Sequence, residues 1–139
     1  MIRLAGEGID SIMSVPCGRA SVIVMGDFNT APGESLMTGF AEQTGIVNLS
    51  SAEAGQGRGS YRYQGTWEMI DQVLVSASMT DSTTVFYAVP GSFRVVDAPF
   101  LLTVDETYPG RKPYPTYGGY RYSGGYSDHL PVTFKVTWQ

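Results

Sequence analysis

The sequence predicts an α/β domain, and three observations carry that reading. A continuous apolar run, Val22-Ile23-Val24-Met25, leads straight into Gly26-Asp27-Phe28-Asn29, the pattern of a strand buried on both faces. Stretches with helical apolar spacing stand on either side of it, at 2–15 and 32–44. Two further strand-like runs, 69–76 and 132–136, each follow or contain an aspartate. Alternation of helices and strands around such runs is the signature of a layered α/β arrangement.

The first element places Ile2, Ala5, Ile9, Ile12 and Met13 at spacings of three and four, one apolar helical stripe ended by Pro16 and Gly18. The strand at 20–28 follows. The chain therefore opens on a helix with no preceding strand and is expected to begin within a domain. Asp27 and Asn29 stand two residues apart, so both side chains are expected on one face of that strand. The carboxyl end of a strand in an open α/β sheet is where ligands bind. Taken alone, both residues serve equally well as turn formers before Thr30-Ala31-Pro32-Gly33.

Pro32 suits the first turn of a helix running to about Thr44, with Leu36, Met37, Phe40 and Ala41 as its apolar side and Gly45 as its stop. Ile46 to Leu49 reads as a short strand, and Ser50 to Gly59 as a polar, Gly-rich loop. Ser60 to Tyr63 is a short aromatic strand closed by a turn at Gln64-Gly65, and Trp67 to Val75 is the next strand. Within it Asp71 stands among Met69, Ile70, Val73, Leu74 and Val75. A carboxylate there is expensive to desolvate unless a cation, a histidine or a metal pairs with it.

Thr83 to Val89 alternates like a strand, and Phe93 to Val104 is expected to form an irregular lid over the core. The segment from Asp105 onward gathers Tyr114, Tyr117, Tyr120, Tyr122 and Tyr126 with Arg111, Lys112 and Arg121. Aromatic and cationic residues together make stacking platforms, and tyrosines equally serve as ordinary loop and edge surface. The last motif is Ser127-Asp128-His129-Leu130-Pro131-Val132, which holds the one histidine of the chain and enters a terminal strand at 132–136.

Composition narrows the class. One cysteine, Cys17, excludes an internal disulfide and argues against a thiolate metal cluster. A net charge of −4 disfavours a protein that grips long nucleic acid by counterion release, and suits carboxylates gathered around a divalent cation. No apolar run reaches the roughly 20 residues of a membrane span, and Met1 to Glu7 shows no signal-peptide core. The residues left over are Asp27, Asn29, Asp71, Asp128 and His129, which suit phosphate-ester hydrolysis. That reaction needs charge neutralisation on the phosphoryl oxygens, an oriented water and a stabilised leaving oxygen. Mg2+ or Mn2+ on one or two carboxylates supplies the first of these. An imidazole paired with a carboxylate can hydrogen-bond the phosphate.

Gly26-Asp27-Phe28-Asn29, Ile70-Asp71 before an apolar strand, and Ser127-Asp128-His129-Leu130-Pro131-Val132 resemble, in order and spacing, the last three motifs of the endonuclease/exonuclease/phosphatase superfamily. The resemblance spans Ala20 to Val136. It implies a DNase I-like four-layer α/β sandwich, of which residues 1–139 are the C-terminal portion of a single domain, with a mixed, largely antiparallel sheet and flanking helices. By that resemblance Asp27 orients or deprotonates the attacking water, and Asn29 and His129 bind the scissile phosphate. Asp128, with Asp27, contributes to the metal, and Asp71 pairs with His129. Arg121 and Tyr122 are the expected substrate contacts outside this centre.

The family's earlier asparagine, metal-ligating glutamate and second phosphate-facing residue have no counterpart here, and Met69 stands where an arginine is common. The expectation is a metal-dependent phosphoesterase that needs an N-terminal half. The alternative is a non-catalytic binding fragment of such a domain. Substrates open to this core are nucleic acids, phospholipid head groups and sugar phosphates, since specificity lies in loops. Val22, Val24, Ile70, Val73, Val75 and Phe134 are expected to leave an apolar sheet face exposed, so that the chain self-associates.

Overall fold

The computed structural model describes residues 20–139. The helix expected over 2–15 and Cys17 lie outside the described residues. At the centre is β5 (Asp71–Ser76), flanked antiparallel by β1 (Ile23–Asp27) and β2 (Ile46–Asn48). Ile23 stands opposite Val75, Met25 opposite Val73, and Asp27 opposite Asp71. β5 is central because Val73, Leu74 and Val75 are apolar in succession and pack on both sides of the sheet.

Period-two alternation divides β5 between two cores. Leu74 joins Met37, Phe40 and Ile46, with Val22, Val24 and Phe28 packed against them. Met37 and Phe40 come from α1 (Ser35–Thr44), which ends where Gly45 takes the left-handed conformation at φ 66°. Val73 and Val75 join Met69, Met79, Ala88, Phe93, Val95 and Leu130 on the other face. Each fully buried aliphatic side chain there contributes about 1.5–3 kcal/mol relative to exposure.

The second core is roofed by short antiparallel ribbons. β6 (Phe86–Ala88) pairs with β13 (Val136–Trp138), and β7 (Arg94–Val95) with β12 (Val132–Thr133). β3 (Tyr61–Tyr63) and β4 (Thr66–Glu68) form a hairpin through Gln64 and Gly65, both at positive φ as a two-residue turn requires. β8 (Leu102–Val104) pairs with β9 (Arg111–Pro113), and β10 (Tyr117–Gly118) with β11 (Arg121–Tyr122). All described pairings are antiparallel, and helices flank the sheets, so the fold is a mixed α/β one.

Several expectations change. β1 is not buried on both faces: among the described residues it pairs only with β5, and Met25 is 60% exposed. The exposed sheet face is also smaller than expected. Ile70, Val73 and Val75 are buried within this chain, and Phe134 packs against the same core, because the β6–β13 and β7–β12 ribbons cover that side. What stays open is Ile23, Met25 and Val47.

Helix α1 starts at Ser35 rather than Pro32, after a turn closed by Glu34 N–H to the Ala31 carbonyl, and Leu36 faces solvent. The stretch read as a polar loop contains α2 (Ser51–Gly55), whose Glu53 is buried against Arg58 at 2.8 Å. Phe93 and Val95 are core rather than lid. The terminal strand is split in two, each half pairing with a different partner.

Candidate active site

The β1–β5 ladder sets the site. Its final rung places Asp27 directly opposite Asp71, and Phe28 N–H closes onto the Ile70 carbonyl at 2.9 Å. Both carboxylates lie on the sheet face that carries Val73, where the chain returning through Leu130 also packs. Leu130 N–H bonds the Ser60 carbonyl at 2.7 Å, and Tyr61 makes an isolated antiparallel bridge with His129. His129 is therefore delivered from a remote part of the sequence to the end of β5.

There, His129 Nδ1 lies 2.7 Å from Asp71 Oδ2. A carboxylate oxygen accepts only, so Nδ1 carries the hydrogen and Nε2 is left for a second partner. The ring is held by two contacts and the residue's backbone by a third. Asp71 fixes the ring's rotation, the Tyr61 ring packs against it at 4.8 Å between centroids, and the His129 backbone N–H donates to Ser127 Oγ at 3.1 Å. The backbone of Asp71 is fixed in turn, its N–H donating to Ser60 Oγ at 3.1 Å.

Asp27 Oδ1 accepts the N–H of Asn29 at 2.8 Å, and Asn29 takes a left-handed φ of 50°. This closes an Asx turn on Oδ1, and Oδ2 has no partner among the described residues. The shared-face expectation for Asp27 and Asn29 therefore fails: the strand ends at Asp27, and strand alternation does not extend across the turn. Asn29 instead lines a cleft of about 410 Å³ with Thr30, Ala31, Glu34, Glu68 and Ile70.

Asp128 is exposed and lines a different cleft, of about 310 Å³, with Pro115, Thr116, Tyr117, Tyr126 and Ser127. Arg121 and Tyr122 stand on the exposed β10–β11 hairpin, where Tyr122 meets Tyr117 edge-on at 5.5 Å. The fold thus sets Asp27 opposite Asp71 and Asp71 against His129, while Asn29, bonded to Asp27, lines one cleft and Asp128, next to His129, lines another.

Residues that the sequence reading passed over support this geometry. Gln72 is fully buried; its amide nitrogen donates to the Thr30 and Met69 carbonyls, and its oxygen accepts from Asn48 Nδ2 at 2.6 Å. From β5 it ties the loop after Asn29 to β2 and to the segment that enters β5. The available signal was a polar residue beside Asp71 in an otherwise apolar strand. Ser60 and Tyr61 carried no such signal, because their partners are 11 and 68 residues away in sequence.

Among the described residues, no group of three or more His, Cys, Asp and Glu is arranged to hold a metal ion. Of the expected metal ligands, Asp27 Oδ2 and Asp128 offer fewer oxygens than a protein-only Mg2+ shell needs.

The chain has a mixed, mostly antiparallel α/β fold with an Asp–His pair at the start of its central strand, and the sequence comparison identifies the family. Residues 3–138 match the model of the Endonuclease/Exonuclease/phosphatase family, so the chain belongs to that family, whose members are generally hydrolases and commonly use divalent metals. Among solved structures, the chain is similar to an endonuclease/exonuclease/phosphatase family protein from Bacteroides thetaiotaomicron, at 16% identity and a TM-score of 0.58. It is also similar to a mannosyl-6-phosphatase from Bacteroides thetaiotaomicron VPI-5482, at 17% identity and a TM-score of 0.56. In both cases the match covers 99% of this chain and 44% of the other, so the chain spans less than half the length of these relatives. No curated protein matches it.

Proposed function

We propose that this chain is the C-terminal portion of a phosphoesterase domain that hydrolyses a phosphate ester with a divalent cation, Mg2+ or Mn2+. The observation that carries the reading is the His129–Asp71 bond at 2.7 Å, with Asp27 opposite Asp71 on the same rung. In this reading His129, as the imidazolium with both ring nitrogens protonated, donates from Nε2 to a phosphoryl oxygen, and Asp71 holds the ring so that little reorganisation accompanies the reaction. Asn29 adds a hydrogen bond to the phosphate. Asp27 orients the attacking water and accepts its proton. The water oxygen forms a bond to phosphorus as the ester P–O bond breaks, and the departing alkoxide takes up a proton from solvent water to leave as the alcohol.

Asp27 and Asp128 are the residues that would contribute to the cation, which supplies charge neutralisation when bound. The remaining donors are assigned to the part of the domain outside this chain. The mannosyl-6-phosphatase among the structural relatives supports a phosphomonoester substrate, and the acidic balance of the chain weighs against long nucleic acid.

A second reading, a non-catalytic binding fragment, draws on the absence of a three-donor metal group among the described residues. Phosphate release from a panel of phosphomonoesters and phosphodiesters, with Mg2+ and with chelator, tests both. Turnover that requires the cation and is lost in His129→Ala supports the phosphoesterase. Phosphate binding that needs His129 without turnover supports the fragment.

A further inference from the structure

Arg62 carries a set of bonds that a surface hairpin does not need. It follows Tyr61 in β3, and strand alternation sends the two side chains to opposite faces. Tyr61 packs on the His129 ring, while Arg62 reaches the loop of residues 105–111. Its guanidinium donates from Nε to the Gly65 carbonyl at 3.1 Å, and from Nη2 to the Pro109 carbonyl at 2.6 Å. Nη1 donates to the Arg111 carbonyl at 2.8 Å and to Asp105 Oδ2 at 3.4 Å. The Arg62 side chain is 6% exposed, as is that of Asp105. Burying a guanidinium is costly unless its donors are matched, and here every nitrogen has an acceptor.

The loop is shaped to receive it. Asp105 Oδ1 accepts the N–H groups of Thr107 and Tyr108, at 3.0 and 3.2 Å, and Oδ2 is turned to Arg62. Gly110 takes φ 112°, and its backbone passes so near that a Cβ there would stand 3.4 Å from Arg62 Nη2. The loop closes the β8–β9 hairpin, whose Leu102 packs against the second core. On its other side the β3 segment bonds both halves of the candidate site. Ser60 Oγ accepts the Asp71 N–H, the Ser60 carbonyl accepts the Leu130 N–H, and Tyr61 bridges His129. Yet β3 is three residues long and has β4 as the one other strand of its sheet. A two-stranded ribbon of that size is marginal without outside support.

We infer that Arg62 is a positioning residue of the candidate active site: by fixing β3 to the 105–111 loop it holds Ser60 and Tyr61, and through them the His129 ring against Asp71. The inference rests on the phosphoesterase reading for what His129 does, and adds what keeps it in place. A displacement of about 1 Å at a reacting group can cost about 10²-fold in rate. Lysine would not replace this clamp, because its ammonium is a point charge, whereas the planar fork of arginine spans several acceptors at once.

His129 is the one histidine of the chain, so its imidazole is a single spectroscopic probe. The test is proton–nitrogen NMR of the whole chain, with parallel titration by inorganic phosphate. In the parent, Asp71 should protect the Nδ1 proton from exchange, and the Tyr61 ring should shift the imidazole ring protons. Arg62→Lys should lose that protection, return the ring protons toward their free-imidazole positions and weaken phosphate binding about tenfold. Asp105→Asn leaves the carbonyl acceptors of Arg62 in place and should produce the same changes to a smaller degree. Arg94→Lys, whose parent side chain bonds Glu53 and the Gly91 and Phe93 carbonyls, controls for general destabilisation and should leave the histidine signals alone. Unchanged histidine signals in Arg62→Lys overturn the positioning role and leave the phosphate site standing; if that variant does not fold, unchanged signals in Asp105→Asn do so. Signals altered equally in Arg94→Lys, or altered in Arg62→Lys with phosphate affinity unchanged, overturn it as well. Phosphate affinity unaffected by His129→Ala overturns the phosphoesterase reading instead, and the NMR comparison still decides whether Arg62 holds the ring.

Discussion

Asp27 and Asp71 face each other across the last rung of the β1–β5 ladder, two carboxylates on one side of an antiparallel pair. Directly opposed like charges destabilise a sheet by a few tenths to about 1 kcal/mol. Here each carboxylate has a partner that draws charge away from the other: Asp71 bonds His129, and Asp27 bonds the backbone of Asn29. A structural role alone would not need the pair. In the proposed reaction the two carboxylates divide the labour, one holding the imidazole and the other facing water.

That division predicts unequal lesions in the phosphoesterase. His129→Ala and Asp27→Ala should each lower kcat by roughly 10²–10³, the usual loss for a transition-state donor. Asp71→Asn keeps the shape but replaces the anion beside the ring, and should cost less than His129→Ala. Steady-state rates with circular dichroism as a folding control decide this. Near-normal turnover in either alanine variant removes that residue from the mechanism.

Gln72 should behave as a buried support. Gln72→Leu fills similar space but leaves the Thr30 carbonyl and Asn48 Nδ2 without their partner, an expected loss of about 1–3 kcal/mol per unsatisfied group. Urea denaturation monitored by near-ultraviolet circular dichroism measures it. A variant as stable as the parent would show that water replaces the amide without loss.

Asp105 gives the fold an acid-sensitive point. Hydrogen bonding from Thr107 N–H, opposed by desolvation and reinforced by Tyr108 N–H, Lys112 and Arg62, holds its carboxyl below the usual aspartate value. A group whose folded pKa is depressed contributes stability above its unfolded value and loses it as pH falls through the folded one. Asp105→Asn should therefore lower Tm at neutral pH, and the gap to the parent should close in acid below the ordinary aspartate range. A gap that stays constant with pH would assign the effect to packing.

Metal affinity in this chain should be weak. Asp27 Oδ2 and Asp128 offer too few oxygens, and the Asp105 carboxylate is already bound by Arg62 at 3.4 Å. Titration with Mg2+ is expected to give a shallow isotherm. Tight one-to-one binding that Glu68→Gln abolishes would instead make Glu68, which lines the cleft of Asn29, the missing ligand.

The sequence by itself determined the order of chemistry along the chain. Asp27, Asp71 and His129 were identifiable because each breaks a local rule: a carboxylate after or within an apolar strand, and a lone imidazole at a strand entrance. Helix α1, its stop at Gly45, β2, and the turn at Gln64-Gly65 were legible for the same reason, as their signals lie within a few residues. Only the tertiary structure decided which groups meet. The register of β1 on β5, Tyr61 against His129 and the clamp of Gln72 on Thr30 span from 42 to 68 residues of chain. The division of the C-terminal strand depends likewise on partners from distant segments. Local periodicity records which face of an element is apolar. It holds no information about what covers that face, because burial is set by contacts whose loop-closure cost is met only by the assembled fold.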